Sequence, residues 1–504
     1  MLTDSFHAVA FATLFHKPFL AYERQYVHSQ KQSTRLTDFL AEVGLENRFE
    51  GELNLGEDIS FELADKYFDE KRREADKFLT SIIGEHTVSV TKLRKVQQYD
   101  SECCGCGACK DACAHHAITM QPDSVGAYYP VINSEKCIDC GLCRKVCSFK
   151  PISGNIAKKQ SYIAASKESE LIKHSASGGI FAQIAKQVLD EGGVVYGAAL
   201  SVKDGIIDCK HIRVDAHSEL WRIQGSKYVQ SSTLGIFPEI KQELKQGKTV
   251  LFGGTSCQVA ALKGYLRKDY DNLITTDLIC HGVPPVQLLQ EYADMLKEAF
   301  KEEIEDIKFR VRKSDVQPYQ LTLTTKSKRG ESKKHSIGLR ESAYYRLFMS
   351  RAGYRPSCYS CPFASIHKPA DITLGDYYPT DQDRATRWFA LFDSTDMLSS
   401  VIIHTEKGQR IFDDLEDLFL KQNLPIDEMT EAHEQLKWPS MMTRAGDNLY
   451  ALYREGGMNA VQDAIDKRNR LLIFSPLIKQ LKSKISRLHE KGEDVSARDE
   501  NLSG

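Results

Sequence analysis

The chain has no apolar run of about 18 residues, so nothing in it is long enough to cross a bilayer as a helix. It has almost no net charge. Its 67 Lys and Arg against 69 Asp and Glu leave −2, too little for a global field that would draw nucleic acid or a membrane. Nothing at the N-terminus has the order of a signal peptide. The dinucleotide fingerprint G-x-G-x-x-G is missing as well. With 27% charged and 41% hydrophobic residues the composition is that of an ordinary soluble protein, and 504 residues suit about three domains.

Cysteine is what the chain has in quantity, 14 residues in all. Eight of them form two copies of one spacing, C-x2-C-x2-C-x3-C: Cys103, Cys106, Cys109, Cys113 and then Cys137, Cys140, Cys143, Cys147. This is the bacterial ferredoxin run, in which three thiolates hold one [4Fe-4S] cube and the fourth crosses to the other. Cys103, Cys106 and Cys109 are therefore expected to share a cube with Cys147, and Cys137, Cys140 and Cys143 with Cys113. A zinc ribbon does not account for two complete tetrads in this order, since four thiolates already fill one tetrahedral site. A disulfide framework needs an oxidising compartment, whereas free thiols and oxygen-labile cubes fit a reducing cytoplasm. Where Pro usually follows the fourth cysteine, this chain has Ala114 and Ser148. Cys104 stands beside the first run as a bystander, or as a competitor for iron.

Four segments follow from patterning. Residues 1–94 open on a short buried helix, a strand after Pro18, a helix ending at Gly44, and a charged amphipathic helix from Asp65 to Ile83. Residues 96–150 are the ferredoxin module, with a short strand pair turning at Asp123 to Gly126 between the runs. Residues 161–470 alternate strand and helix, which predicts an α/β domain with a parallel or mixed sheet. Residues 471–504 form a tail whose Lys479, Lys482, Lys484 and Arg487 give it a basic face. That tail reads as a terminal helix fading into a polar, disordered end, or as a membrane-surface contact.

Three glycine-bearing stretches are candidates for holding a phosphate-bearing cofactor: Ser175, Ser177, Gly178 and Gly179; Gly225, Ser226, Lys227 and Tyr228; and Gly253, Gly254 and Thr255. Glycines let backbone N–H groups approach phosphate, helix N-termini carry partial positive charge, and Lys227 supplies a full one. Taken singly, each is also what a glycine turn before a helix looks like.

Two family resemblances enter on longer motifs. The series S-x-S-G-G (Ser175 to Gly179), G-G-V-V-Y-G-A (Gly192 to Ala198), G-S-K-Y-V-Q-S (Gly225 to Ser231) and V-L-F-x-G-T-x-C-Q (Val250 to Gln258) continues through C-H-G-V-P (Cys280 to Pro284), S-C-Y-x-C-P-F (Ser357 to Phe363) and D-I-T-L-G-D (Asp371 to Asp376). It resembles the coenzyme F420 hydrogenase/dehydrogenase β-subunit family. That resemblance implies FAD on the glycine-bearing stretches, and a third [4Fe-4S] cluster on Cys257, Cys280, Cys358 and Cys361. Separate buried thiols are the other reading of those four. Cys209 matches nothing and reads as structural. His281 is a candidate catalytic residue, contacting flavin or substrate or donating to cluster sulfur. The opening stretch, with Thr3, Asp4, Ser5, Phe6, His7, Phe11, Phe15, Lys17, Pro18 and Phe19, resembles the C-terminal end of the polysaccharide pyruvyl transferases. Only the last part of that family's chain is covered, which suggests a relic, a split enzyme or a fused reading frame.

The expectation is a cytoplasmic α/β multidomain protein, a ferredoxin-like 2[4Fe-4S] module joined to a flavin-binding domain with a mixed sheet. It would act as a flavin- and iron–sulfur-dependent oxidoreductase. Its partners would be a ferredoxin or another redox protein and a small molecule of unknown identity, such as a sugar nucleotide or glycan intermediate of surface-polysaccharide synthesis. The rival is a non-catalytic electron-transfer subunit feeding a separate enzyme.

Overall fold

The computed structural model describes residues 2–23, 34–50, 59–83, 96, 100–152, 159–310, 320–377 and 398–469. The basic face expected of the tail lies outside them. The chain forms two compact units, Met1–Lys92 and Leu93–Gly504.

In the first unit, β1 (Leu2–Thr3) pairs in parallel with β2 (Leu20–Ala21) across α1 (Phe6–Leu14). Helix α2 (Thr34–Glu42) stops at Gly44, whose φ of +68° suits a residue without Cβ. Helix α3 (Glu62–Ile83) completes the unit. Val9, Phe19, Leu36, Phe39 and Leu40 are its buried core. His7 is exposed on α1, its ring edge-on to Phe6.

The second unit begins with the ferredoxin segment. Two one-turn helices, α4 (Ala108–Asp111) and α5 (Leu142–Lys145), flank the antiparallel hairpin of β3 (Ile118–Pro122) and β4 (Tyr128–Ile132). Each helix starts from a left-handed glycine, Gly107 at φ +77° and Gly141 at +70°. These sharp entries wrap each cysteine run back on itself.

Behind it β5 (Gln160–Ser166), α6 (Ser169–His174), α7 (Ile180–Asp190), β6 (Val194–Lys203), β7 (Ile206–Val214), α8 (Ile236–Lys245), β8 (Val250–Gly253), α9 (Ser256–Leu266) and β9 (Leu273–Leu278) follow in order. After α10 (Val286–Phe300) come β10 (Glu303–Lys308), β11 (Gln320–Lys326) and β12 (Ser332–Gly338), which make a separate antiparallel sheet. The chain then runs through α11 (Ala343–Met349), β13 (Ile372–Tyr377), β14 (Leu398–Ile403) and β15 (Phe419–Asn423), and a helix spans 444–469. The main sheet has eight strands in the order β15-β5-β14-β13-β9-β8-β6-β7. Its centre, β13-β9-β8-β6, is parallel, and the flanking pairs are antiparallel. Val250, Leu251 and Phe252 of β8 are fully buried, as a central parallel strand covered on both faces requires.

A module of this size has little core of its own, and its apolar residues are shared accordingly. Ala108 and Val146 belong to the core formed by α8, α9 and β8, with Cys106, Ala112 and Leu142 packed against it. Gly264 of α9 makes this approach possible. A Cβ there would stand 2.4 Å from the Val146 carbonyl oxygen and 2.0 Å from Ser148 Oγ.

Candidate iron–sulfur centres and the rim beyond them

The eight ferredoxin cysteines lie close to one another. Cys109 is pushed up to about 12, first by burial and then by the charges of Cys103, Cys147 and Cys143, so residues of both runs reach it. Cys113, Cys137, Cys140 and Cys143 border a cavity together with Ile118, Ile132, Ile138 and Leu142. Burial raises Cys143, and Cys137 and Cys140 add to the rise. The backbone N–H of Ala117 points at Cys113 Sγ from 3.4 Å, a donor of the kind that tunes cluster potentials.

A third group forms at the carboxyl ends of the central strands. Cys257 follows β8 in the first turn of α9, Cys280 follows β9, and Cys358 and Cys361 stand on the loop before β13. Burial pushes Cys280 up to about 12, with Cys257 and Cys361 adding to it. Cys361 rises to about 11 through burial and then Cys257. Burial also raises Cys358, followed by the charge of Cys280. Each of the four residues is partly accessible. Gly282 N–H donates to Cys280 Sγ at 3.4 Å. Among the described residues no three His, Cys, Asp or Glu side chains converge to hold a single metal ion. Buried thiols that raise one another are poor thiolates without a cation, and iron supplies one. The donor set fits [4Fe-4S] clusters.

Cys104 has neighbours in two of these groups. It is buried, and its thiol is raised well above the ordinary value, first by a hydrogen bond with Cys106, while its bond with Cys257 pulls the other way. It thus stands between the first and third groups. Two side chains fix its loop: Gln230 Nε2 donates to the Cys104 carbonyl at 2.9 Å, and Thr233 Oγ1 to that of Cys106 at 2.7 Å. Cys209 is a core thiol, held up to about 12 by burial.

The glycine-bearing stretches meet on the same rim of the sheet. Gln224 Nε2 reaches Ser175 Oγ at 3.3 Å, and His211 Nε2 lies 3.0 Å from the Gly253 carbonyl. Several of these residues have reasons within the fold. A Cβ at Gly178 would meet the Ala164 carbonyl at 2.4 Å, and one at Gly253 would meet the Phe181 ring at 2.5 Å. Gly254 is crowded by Gln258 and His211, and Gly179 has a φ of +78°. Ser175 Oγ donates to the Leu171 carbonyl, Ser177 Oγ contacts Ser399 Oγ, and Thr255 caps α9 in a reciprocal box with Gln258. The Tyr228 ring stacks on Phe348 at 4.5 Å within the core, so a cofactor would find only its backbone. Gly225 differs. Only the His174 carbonyl, at 3.5 Å, lies near its missing Cβ, and its backbone is left-handed at φ +77°. Beside it Lys227 Nζ donates to the Gln224 carbonyl, and burial lowers the ammonium to about 8. Packing thus does not account for the absent side chain at Gly225, whereas its positive φ does.

His281, next to Cys280, is exposed. Desolvation of the ring holds it below the usual histidine range, with the Arg351 charge adding to this, so the ring is neutral at pH 7. Gln435 Nε2 donates to Nδ1 at 3.2 Å, which leaves Nε2 as the protonated nitrogen.

With this geometry in hand, three family models match the chain. Residues 161–237 match the N-terminal part of the coenzyme F420 hydrogenase/dehydrogenase beta subunit, and residues 247–423 its C terminus. Residues 102–150 match a 4Fe-4S dicluster domain. A chain of the F420-reducing [NiFe] hydrogenase complex from Methanosarcina barkeri aligns over 62% of this chain and 92% of its own, at 17% identity and a TM-score of 0.34. That likeness carries no argument. No curated protein matches. The family matches begin at residue 102 and leave the pyruvyl-transferase resemblance of the first unit without support. They point to an oxidoreductase that binds [4Fe-4S] clusters.

Proposed function

We propose that this chain, which carries both domains of the coenzyme F420 hydrogenase/dehydrogenase beta subunit behind a 4Fe-4S dicluster domain, is an oxidoreductase with three cluster sites in sequence. The observation that supports the reading is the bond from Ser360 Oγ, between Cys358 and Cys361, to the Ser101 carbonyl at 3.2 Å, which brings the loop of the third set against the segment of the first. Clusters, when bound, supply one-electron transfer, and a flavin, when bound, would supply exchange between one and two electrons.

The chain's own residues do the rest. Cys103, Cys106, Cys109 and Cys147 hold one cluster; Cys113, Cys137, Cys140 and Cys143 another; and Cys257, Cys280, Cys358 and Cys361 the third. Ile118, Ile132, Ile138 and Leu142 line the second site. Gly225, Ser226 and Lys227 would hold the phosphates of FAD. His281, neutral and protonated on Nε2, presents a proton donor next to Cys280. A redox protein such as ferredoxin would dock at the exposed face of the second site, where Cys140 is exposed and Ile138 is 63% accessible. A surface-polysaccharide substrate rests only on the resemblance of the first unit.

Anaerobic purification tests the reading. Ferredoxin-dependent reduction of bound flavin by the isolated chain supports a complete enzyme. Full cluster loading without flavin, and no turnover of free coenzyme F420, would favour the electron-relay reading.

A further inference from the structure

Arg355 is the largest fully buried side chain among the described residues, and it lies between two of the candidate cluster sites. Its carbonyl accepts from Cys358 N at 2.9 Å, so its backbone belongs to the loop of the third site. Its side chain crosses to the ferredoxin segment. There Nη2 donates to the Cys103 carbonyl at 3.1 Å and to the Tyr128 carbonyl at 3.0 Å. Nη1 donates to Gln230 Oε1 at 3.2 Å, the same glutamine that holds the Cys104 carbonyl. The guanidinium lies 4.7 Å from the centre of the Tyr129 ring. A Cβ at Gly105 would press on Nη1 at 2.9 Å. None of these partners is a carboxylate, and Nε is buried without a hydrogen-bond partner among the described residues.

A full positive charge that is buried and unbalanced by an acid is costly unless something anionic lies nearby. The carbonyls supply partial charge only. The nearest full negative charges would be the clusters, each of which carries net negative charge when its four ligands are thiolates. The positive field of Arg355 already reaches Cys257 of the third site. A cation favours the more negative, reduced form of a cluster and so raises its potential.

We propose that Arg355 is a positioning residue whose charge raises the reduction potentials of the first and third clusters together. This rests on the three-site reading above. The second site is not among the contacts of Arg355, which makes it an internal control.

The test is an anaerobic redox titration followed by electron paramagnetic resonance on the full chain, as wild type, Arg355→Gln and Arg355→Lys. Signals are assigned with Cys137→Ser, which disables the second site. In Arg355→Gln, with about twelve irons retained, the first and third potentials are expected to fall while the second stays put. Arg355→Lys keeps the charge and should fall less. An unchanged set of potentials overturns the proposal. So does an equal fall in all three, or a fall in the lysine variant as large as that in glutamine. Loss of iron in both variants overturns it too, because Arg355 would then be a structural rivet alone. If wild type holds only about eight irons, the three-site reading fails, while the fall of the first potential still tests the arginine.

Discussion

Gly264 is the point where the ferredoxin segment and the α/β body come closest, and its substitution tests how Cys147 is held. In Gly264→Ala the new Cβ would stand 2.0 Å from Ser148 Oγ and 2.4 Å from the Val146 carbonyl oxygen, where real contacts do not fall below 3.0 Å. The hydroxyl can rotate away. The carbonyl is backbone and must retreat from 2.4 to at least 3.0 Å, about 0.6 Å, taking the flanking Cys147 with it. Overpacking of this kind costs about 1–3 kcal/mol. Replacing glycine inside a helix returns about 1 kcal/mol. The net destabilisation is therefore about 0–2 kcal/mol, small for a body this large. The effect should instead appear at the first cluster, whose fourth thiolate is displaced. Gly264→Val adds two methyl groups at the same contact and regains less helix propensity, so its loss should be greater. Iron content and the resonance signal of the first site read the outcome. Undiminished iron and an unaltered first-site signal in Gly264→Val would refute the claim that α9 positions Cys147.

Three further outcomes follow. Cys104→Ser should retain about twelve irons, because Cys104 adjoins two ligand sets without belonging to either; a fall to about eight would make it a ligand of the third site. Lys227 has its pKa lowered to about 8, so its positive charge is present below that pH and lost above it. Flavin retention should fall between pH 7 and 9 in wild type, measured by absorbance after gel filtration, and be uniformly low in Lys227→Met; equal retention in both would remove Lys227 from the cofactor site. His281→Asn should keep iron and flavin and lower turnover by about 10²–10⁴-fold if its proton is used; unimpaired turnover would remove it from the reaction.

The sequence shows the two ferredoxin sets because all their ligands are local. Runs spaced two and three residues apart leave the thiolates few ways to wrap. The third set is not local. Cys257, Cys280 and the pair at 358 and 361 come from loops that only the strand order brings together, and family motifs alone joined them beforehand. Cys104 shows the same limit, since its neighbour Cys257 is 153 positions away. Arg355 gave no signal in the sequence, because its partners are backbone carbonyls, which leave no trace in residue identity. The glycines misled in the opposite sense. Gly178 and Gly253 look like phosphate loops, yet the strand and ring packed against them explain their absent side chains. One legible feature went unread: Asp204-Gly205, both at positive φ, is the two-residue turn that makes β6 and β7 a hairpin.

The central claim is the third cluster site, and counting iron in the anaerobically purified chain with and without Cys257 tests it most directly. The account predicts about twelve irons in wild type and about eight in Cys257→Ala, with the ferredoxin signals of the first and second sites intact. About eight irons in both proteins would contradict it.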